Sequence, residues 1–241
     1  MLSIRTCPKE DSLPLWKRVL DVFCIFVAVP AVAPLMLMIC GVIRLCSAGP
    51  VLFRQERIGL KGKPFVCLKF RTMHVQAETE SHEAHLDKLI NSSVPMKKLD
   101  ADGDTRVFTF GRLLRASGLD ELPQLINVLR GEMSLVGPRP CIRYEYERFK
   151  PEHRERFNTV PGLTGLWQVS GKNRTTFQEM IDLDIAYTRQ LSLRRDVEIL
   201  CRTFPVVFEQ TIELTQRKMA RNGNPAKMLR NQDRAKSVAS L

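Results

Sequence analysis

Long apolar runs are almost absent from this chain of 241 residues, which carries a single one, residues 19–43. A multi-span transporter or channel is thereby excluded, because each crossing helix needs about 20 apolar residues. There is no Cys-x-x-Cys pair, and the seven cysteines are an odd number, with Cys24 and Cys40 inside the apolar run where they read as small hydrophobes. Reduced thiols and a cytosolic body are the expectation. The basic residues are not interleaved with aromatics, and no recognition motif for nucleic acid is present. No nucleic-acid partner is therefore expected, despite a formal charge of +11 from 37 Lys and Arg against 26 Asp and Glu. Phosphorylated substrates and anionic lipid explain that excess better.

What is present begins with the apolar run itself, VLDVFCIFVAVPAVAPLMLMICGVI, whose only charge is Asp21. By length it can span a membrane. Pro30 and Pro34 fall in its middle, where each removes a backbone donor, so the sequence predicts a break. Lys17 and Arg18 precede it and Arg44, Arg54 and Arg57 follow it, so basic residues flank both ends and give no direction of crossing. The pattern suits a re-entrant helix-break-helix with both ends on the cytoplasmic side; a kinked single span is the other reading. Ala31-Val32-Ala33 has the form of a signal-peptide cleavage site, but Pro34 directly after it and the run continuing to Ile43 argue against cleavage.

Beyond the run, alternation in PFVCLKF and a turn at Gly62 predict a short β-hairpin within 51–73, ending on Lys69 and Arg71. Residues 76–104 read as a polar, partly helical insertion. Two metal-like patterns there fail on spacing. His82 and His85 are three apart instead of four, and the loop opened by Asp100, Asp102 and Asp104 has Thr105 and Gly111 where a calcium loop needs Gly and Glu.

The segment RLLRASGLDELPQLINVLRGE, residues 112–132, predicts one helix ending near Gly118 and a second from Asp120 to Gly131, with Leu122, Leu125, Ile126 and Leu129 as its apolar stripe. Asp120 reads as an N-cap, with Glu121 complementing the helix dipole. A chemical reading stands beside that one. Arg112 and Arg115 come just before the pair and Gly137-Pro138-Arg139-Pro140 just after the helix, so cations and a helix start converge on two carboxylates, as at a phosphate site holding a nucleophile. A carboxylate among arginines stays ionised, and its neighbour can hold Mg²⁺ against a diphosphate.

Taken in order, Lys17-Arg18 and the apolar run, GPVLFRQERIG (49–59), KFRTM (69–73), FGRLLRASGLDELPQLINVL (110–129), MSLVGPRP (133–140) and PGLTGLWQVSG (161–171) resemble the monotopic phosphoglycosyl transferases, the bacterial sugar transferase family. The resemblance covers about four fifths of the chain. It implies that Asp120 is the nucleophile and that Glu121 holds Mg²⁺. It also implies a UDP-sugar donor and a polyprenyl phosphate acceptor, with a phosphosugar carried on the enzyme between two displacements. Arg115 and Arg139 would clamp phosphate oxygens, with Lys69, Arg71 and Arg112 as further candidates. Two departures stand out. Ala33-Pro34 replaces a Ser-Pro at the helix break, and Gly171-Lys172-Asn173 replaces Gly-Arg-Asn, keeping charge but losing the planar fork.

The chain thus divides into an N-terminal tail (1–16), a re-entrant membrane segment (17–48), a cytosolic catalytic domain (49–215) and a basic tail (216–241) expected to be disordered and to meet anionic lipid. Residues 174–215 read as helices carrying Asp184 in an LDIAY stretch, with Val197, Leu200, Val207 and Phe208 on an apolar face broken at Pro205. That face suits either the membrane surface or a core. The expected class is α+β, mostly helical, on the cytoplasmic face of a bacterial inner membrane. The reading from another class is a membrane-anchored basic binding protein whose dyad only caps a helix.

Overall fold

The computed structural model describes residues 13–73, 106–171, 175–203 and Pro205. The 76–104 insertion with its His and Asp patterns, Lys172, Asn173, Val207, Phe208 and the basic tail lie outside these residues. Among the described residues the fold is mostly helical, with two small two-stranded sheets.

Helix α1, Leu15–Cys46, is 32 residues and runs unbroken through Pro30 and Pro34. The expected interruption is therefore corrected: helical structure continues past both prolines, each of which removes one backbone bond and bends a helix without having to end it. At about 1.5 Å per residue its contour is about 48 Å, and by length and composition it could cross a membrane. Burial is confined to its two ends. Lys17, Asp21 and Ile25, spaced by four, form one buried stripe near the N-terminus, and Ile39 and Ile43 another near the C-terminus. Between them Phe26, Val27, Leu37 and Met38 are exposed.

The stripe at 17–25 changes the reading of the basic flanks. Lys17 is fully buried, its ammonium donating to Asp196 Oδ2 (2.5 Å), Tyr187 Oη (2.9 Å) and the Val136 carbonyl (2.7 Å). Arg18 donates to the carbonyls of Val128 and Leu129. Arg57 is buried as well, donating to Gln55 and the Pro140 carbonyl. These three cations, which flank the apolar run in sequence, are held by protein partners. Asp21 Oδ1 accepts from Ser134 Oγ (3.0 Å) and Leu135 N–H (2.9 Å), so the one acid of the run docks on the body too.

The hairpin forms as the alternation predicts. Strands β1, Leu52–Ile58, and β2, Pro64–Phe70, pair antiparallel from Leu52↔Phe70 to Ile58↔Pro64. Helix α2, Thr109–Ser117, then leads through a tight turn into α3, Gln124–Arg130. The buried face of α3 is Gln124, Asn127 and Val128. Leu129 is exposed and Leu122, Leu125 and Ile126 are only half-buried, so the apolar stripe assigned to this helix is corrected. Asn127 is the cause. Its Oδ1 accepts from Leu68 N–H (3.0 Å) and its Nδ2 donates to the Val66 carbonyl (2.7 Å), supplying the free edge of β2 with the partners a third strand would give.

Strand β3, Ser134–Val136, pairs parallel with β4, Gly162–Thr164. Between them run α4, Arg143–Arg148, and tight turns over Pro151–Asn158; α5, Leu166–Val169, α6, Phe177–Arg189, and α7, residues 193–203, follow. Helix α6 opens on a capping box, in which Thr176 Oγ1 accepts from Glu179 N–H and Glu179 accepts from Thr176 N–H. It buries Phe177, Met180, Ile181, Asp184 and Tyr187 on one face. The junction of β3 and β4 tolerates only glycine, since a Cβ on Gly162 would lie 2.0 Å from Gly137 N and 2.4 Å from the Thr164 carbonyl. Gly162→Ala is expected to lower stability by at least about 3 kcal/mol. Gly41→Ala, at an open position of α1, should leave it unchanged or slightly raised. Thermal unfolding of the two variants in detergent checks the contrast.

Candidate active site

The carboxylate pair is presented by a chain reversal. Gly118 ends α2 in the left-handed region (φ 73°), which a residue with a side chain enters at a cost, and Leu119–Glu121 form a single tight turn. Glu121 N–H donates to the Gly118 carbonyl (3.1 Å) and Leu122 N–H to that of Leu119 (3.3 Å). Asp120 therefore lies inside this turn, three residues before α3 begins at Pro123 and Gln124, and no side chain caps α3. The N-cap reading of Asp120 is corrected. The second helix starts at Pro123 and Gln124, later than the Asp120 start expected, with the Leu119–Glu121 turn in between.

Asp120 and Glu121 are both half-buried. Lys69, near the end of β2, reaches Glu121 Oε1 at 2.7 Å, with both side chains partly open to solvent. This contact follows from Asn127, which seats α3 and the turn before it against β2. Arg115, in the last turn of α2, is half-buried beside the dyad in sequence, and Arg112 is exposed one turn earlier. Helix α2 sits close against the strand exit because Gly111 leaves room: a Cβ there would lie 2.3 Å from the Thr72 carbonyl. Arg71 is placed differently from Lys69. Its guanidinium is buried and donates to the carbonyls of Ser47 and Ala48, both at 2.7 Å, closing the C-terminal end of α1.

Arg139 belongs to a second group of charges. Its guanidinium is about one third exposed, 3.6 Å from Oε1 of the buried Glu145. Its backbone N–H donates to Asp184 Oδ2 (3.3 Å) and its carbonyl accepts from Arg156 Nη2 (2.9 Å). Burial pushes the Asp184 carboxyl up to about 6, against the opposing pull of the Arg156 guanidinium and the Arg139 amide. The two groups are linked through the hairpin. Arg57, on β1, lies in range of the Arg139 and Glu145 charges, and Cys67, on β2, in range of those of Lys69 and Glu121. The Cys67 thiol itself is pushed up by burial.

Sequence reading placed Asp120, Glu121, Lys69, Arg115 and Arg139 in the site region but missed Asn127, Arg156 and Asp184 as the residues that hold it together. Buried polar residues carry no periodic signal, although the Pro-Arg-Pro segment, poor in backbone donors, pointed to a backbone needing outside partners. No group of three or more His, Cys, Asp or Glu gathers into a metal cage among the described residues. Two adjacent carboxylates on one tight turn suit Mg²⁺, which takes one or two carboxylates and completes its shell with water and substrate phosphate.

A carboxylate dyad on a tight turn, with Lys69 on Glu121, stands on a body that packs against both ends of a long apolar helix. Residues 13–210 match the bacterial sugar transferase model, and the chain belongs to that family. Among its relatives, the UDP-glucose:undecaprenyl-phosphate glucose-1-phosphate transferase of Caulobacter vibrioides is 43% identical over 202 residues, covering 80% of this chain and 70% of that one. The exopolysaccharide production protein ExoY of Sinorhizobium fredii is 37% identical over 191 residues, 79% of this chain and 84% of the relative. The undecaprenyl-phosphate galactose phosphotransferase of Salmonella typhimurium is 36% identical over 210 residues, 87% of this chain but only 44% of that longer protein.

Proposed function

We propose that this transferase moves a sugar-1-phosphate from a UDP-sugar to a polyprenyl phosphate, through a phosphosugar bound covalently to Asp120. The observation that carries this reading is the half-buried Asp120–Glu121 pair on its tight turn, with Lys69 on Glu121. The activities for which the Caulobacter and Salmonella relatives are named agree with it. In the first displacement an Asp120 oxygen attacks the phosphorus nearest the sugar, and the bond from that phosphorus to the bridging oxygen breaks. UMP leaves with the electron pair. In the second, an oxygen of the polyprenyl phosphate attacks the same phosphorus and the Asp120 carboxylate leaves, giving the polyprenyl diphosphate sugar.

Arg115 and Arg139 hold the phosphate oxygens in this scheme, Arg112 meets the incoming anion at the surface, and Lys69 orients Glu121. Glu121 would hold Mg²⁺, which supplies charge neutralisation of the diphosphate when bound. With its fork on two carbonyls, Arg71 acts on the shape of the site through the end of α1.

The same proposal places α1 in the cytoplasmic leaflet of the bacterial inner membrane as a re-entrant element. Both of its ends bury residues against one body, while Phe26, Val27, Val29, Leu37 and Met38 between them are exposed; a spanning helix would carry one end about 30 Å away. Leu113 on α2, Leu129 on α3, and Leu193 and Val197 on α7 are exposed apolar residues beside arginines, as on helices lying at a lipid interface. That arrangement holds Asp120 where a lipid phosphate meets a soluble nucleotide sugar.

Purified protein incubated with radiolabelled UDP-sugars, Mg²⁺ and undecaprenyl phosphate is expected to yield lipid-extractable label and UMP; no lipid label across a broad sugar panel would overturn the reading. For topology, single cysteines at Glu10 and at the exposed Ala48, in a cysteine-depleted background, should react with an impermeant maleimide from the same side of the membrane. Reaction from opposite sides would refute the re-entrant reading.

A further inference from the structure

In Pro138-Arg139-Pro140 only the central residue has an amide hydrogen, so this segment can be held by donors of its own at one point alone. That hydrogen goes to Asp184 Oδ2, while the carbonyl of the same residue accepts from Arg156 Nη2. Arg156 Nη2 and Asp184 Oδ2 are themselves 2.5 Å apart, and both side chains are 1% exposed. One buried ion pair therefore grips Arg139 on both sides of its Cα.

We propose that Arg156 and Asp184 are positioning residues for Arg139, setting the direction of its guanidinium toward the substrate phosphates. The inference rests on the phosphate-binding role given to Arg139 above. Three observations support it. Among the described residues the side-chain hydrogen bonds of the pair go only to each other and to the Arg139 backbone, since Arg156 Nε and Nη1 and Asp184 Oδ1 have no partner. The Arg156 guanidinium is fixed from the side by the rings of Phe149 and Phe157, 5.2 and 5.7 Å from their centroids. The Arg139 side chain is restrained at its far end by Glu145, whose other oxygen accepts from Ile142 N–H (3.0 Å).

Stability alone is a poor reason for such a pair. A buried ion pair roughly breaks even against well-packed apolar residues, so its presence calls for a gain in geometry. The neighbouring carbonyls are tied independently, Pro138 O to Gly162 N–H (2.8 Å) and Pro140 O to Arg57 Nη1 (3.3 Å). Loss of the pair thus frees Arg139 in particular while the loop stays attached.

A double-mutant cycle tests this. Asp184→Asn is made in the wild type and in Arg139→Lys, with UMP release and lipid transfer measured and folding checked by thermal unfolding. Acting through Arg139, Asp184→Asn should lower kcat/KM by about 100-fold in the wild type, the scale of a small misplacement of a binding group, and by no more than about 3-fold in Arg139→Lys. Arg156→Lys, which keeps the charge but loses the fork, should give the same pattern and serves if Asp184→Asn does not fold. Equal losses in both backgrounds, an unchanged rate in the wild type, or no effect of Arg139→Lys itself would overturn the inference. A wild type inactive with every UDP-sugar overturns the proposed function instead, and this inference with it.

Discussion

Asp120→Asn is expected to abolish lipid-linked product and to lower UMP release by about 10⁴-fold or more, the scale seen when a catalytic nucleophile is removed. The substitution is isosteric and the side chain half-buried, so the protein should still fold, with its unfolding midpoint within a few degrees of wild type. Incubating wild type with UDP-sugar and no lipid acceptor should add the mass of one phosphosugar to the protein, and Asp120→Asn should add none. Glu121→Gln separates the two carboxylates: it should retain the covalent mass at a reduced rate and need more Mg²⁺. Label on the lipid with both wild type and Asp120→Asn would remove Asp120 from the chemistry and leave the turn around Gly118 as a structural reversal.

Lys17→Met is expected to have the largest effect on stability, about 3–5 kcal/mol. The loss comes less from the removed charge than from what remains. Asp196 is 1% exposed and takes Lys17 at 2.5 Å, and the Tyr187 hydroxyl, whose ionisation burial and Asp196 both oppose, donates to the same carboxylate at 2.6 Å. Without the ammonium, the buried carboxylate keeps only that hydroxyl among the described residues. In detergent the unfolding midpoint should fall by about 10 °C. Adding Asp196→Leu to Lys17→Met should recover most of that fall, because replacing both charges leaves none unpaired. A double variant no more stable than the single one would show that the ammonium acts mainly through Val136 and Tyr187. Lys17 joins α1 to β3, α6 and α7 at one point, so its loss should also release the N-terminal half of α1 from the body.

Lys17 shows where sequence reading stops. A lysine next to an apolar run is ordinarily an interfacial charge, and nothing within several residues distinguishes this one. Its partner Asp196 is 179 residues away. Asn127 poses the same difficulty: within a helix the leucines looked like the packing face, yet the asparagine is fully buried because it completes the edge of a strand about 60 residues earlier. Pro30 and Pro34 misled in the other direction. The propensity of a proline to interrupt a helix is local, whereas α1 is held at both ends by contacts with the body.

The elements governed by short-range rules were legible in the sequence: the β1–β2 hairpin from alternation, the left-handed end of α2 from Gly118, the end of α3 from Gly131, and the single long apolar helix from its composition. The tertiary structure alone decided which polar side chains are buried together. That set comprises Lys17 with Asp196, Asn127 with the edge of β2, and Arg156 with Asp184 around Arg139; the partly exposed contact of Lys69 with Glu121 was decided in the same way. The physical reason is the range of the forces involved. Periodicity, capping and turn chemistry act over a few residues and repeat along the chain. A buried charge or amide is acceptable only where a partner arrives from elsewhere in the fold, and that meeting is not encoded in any one segment.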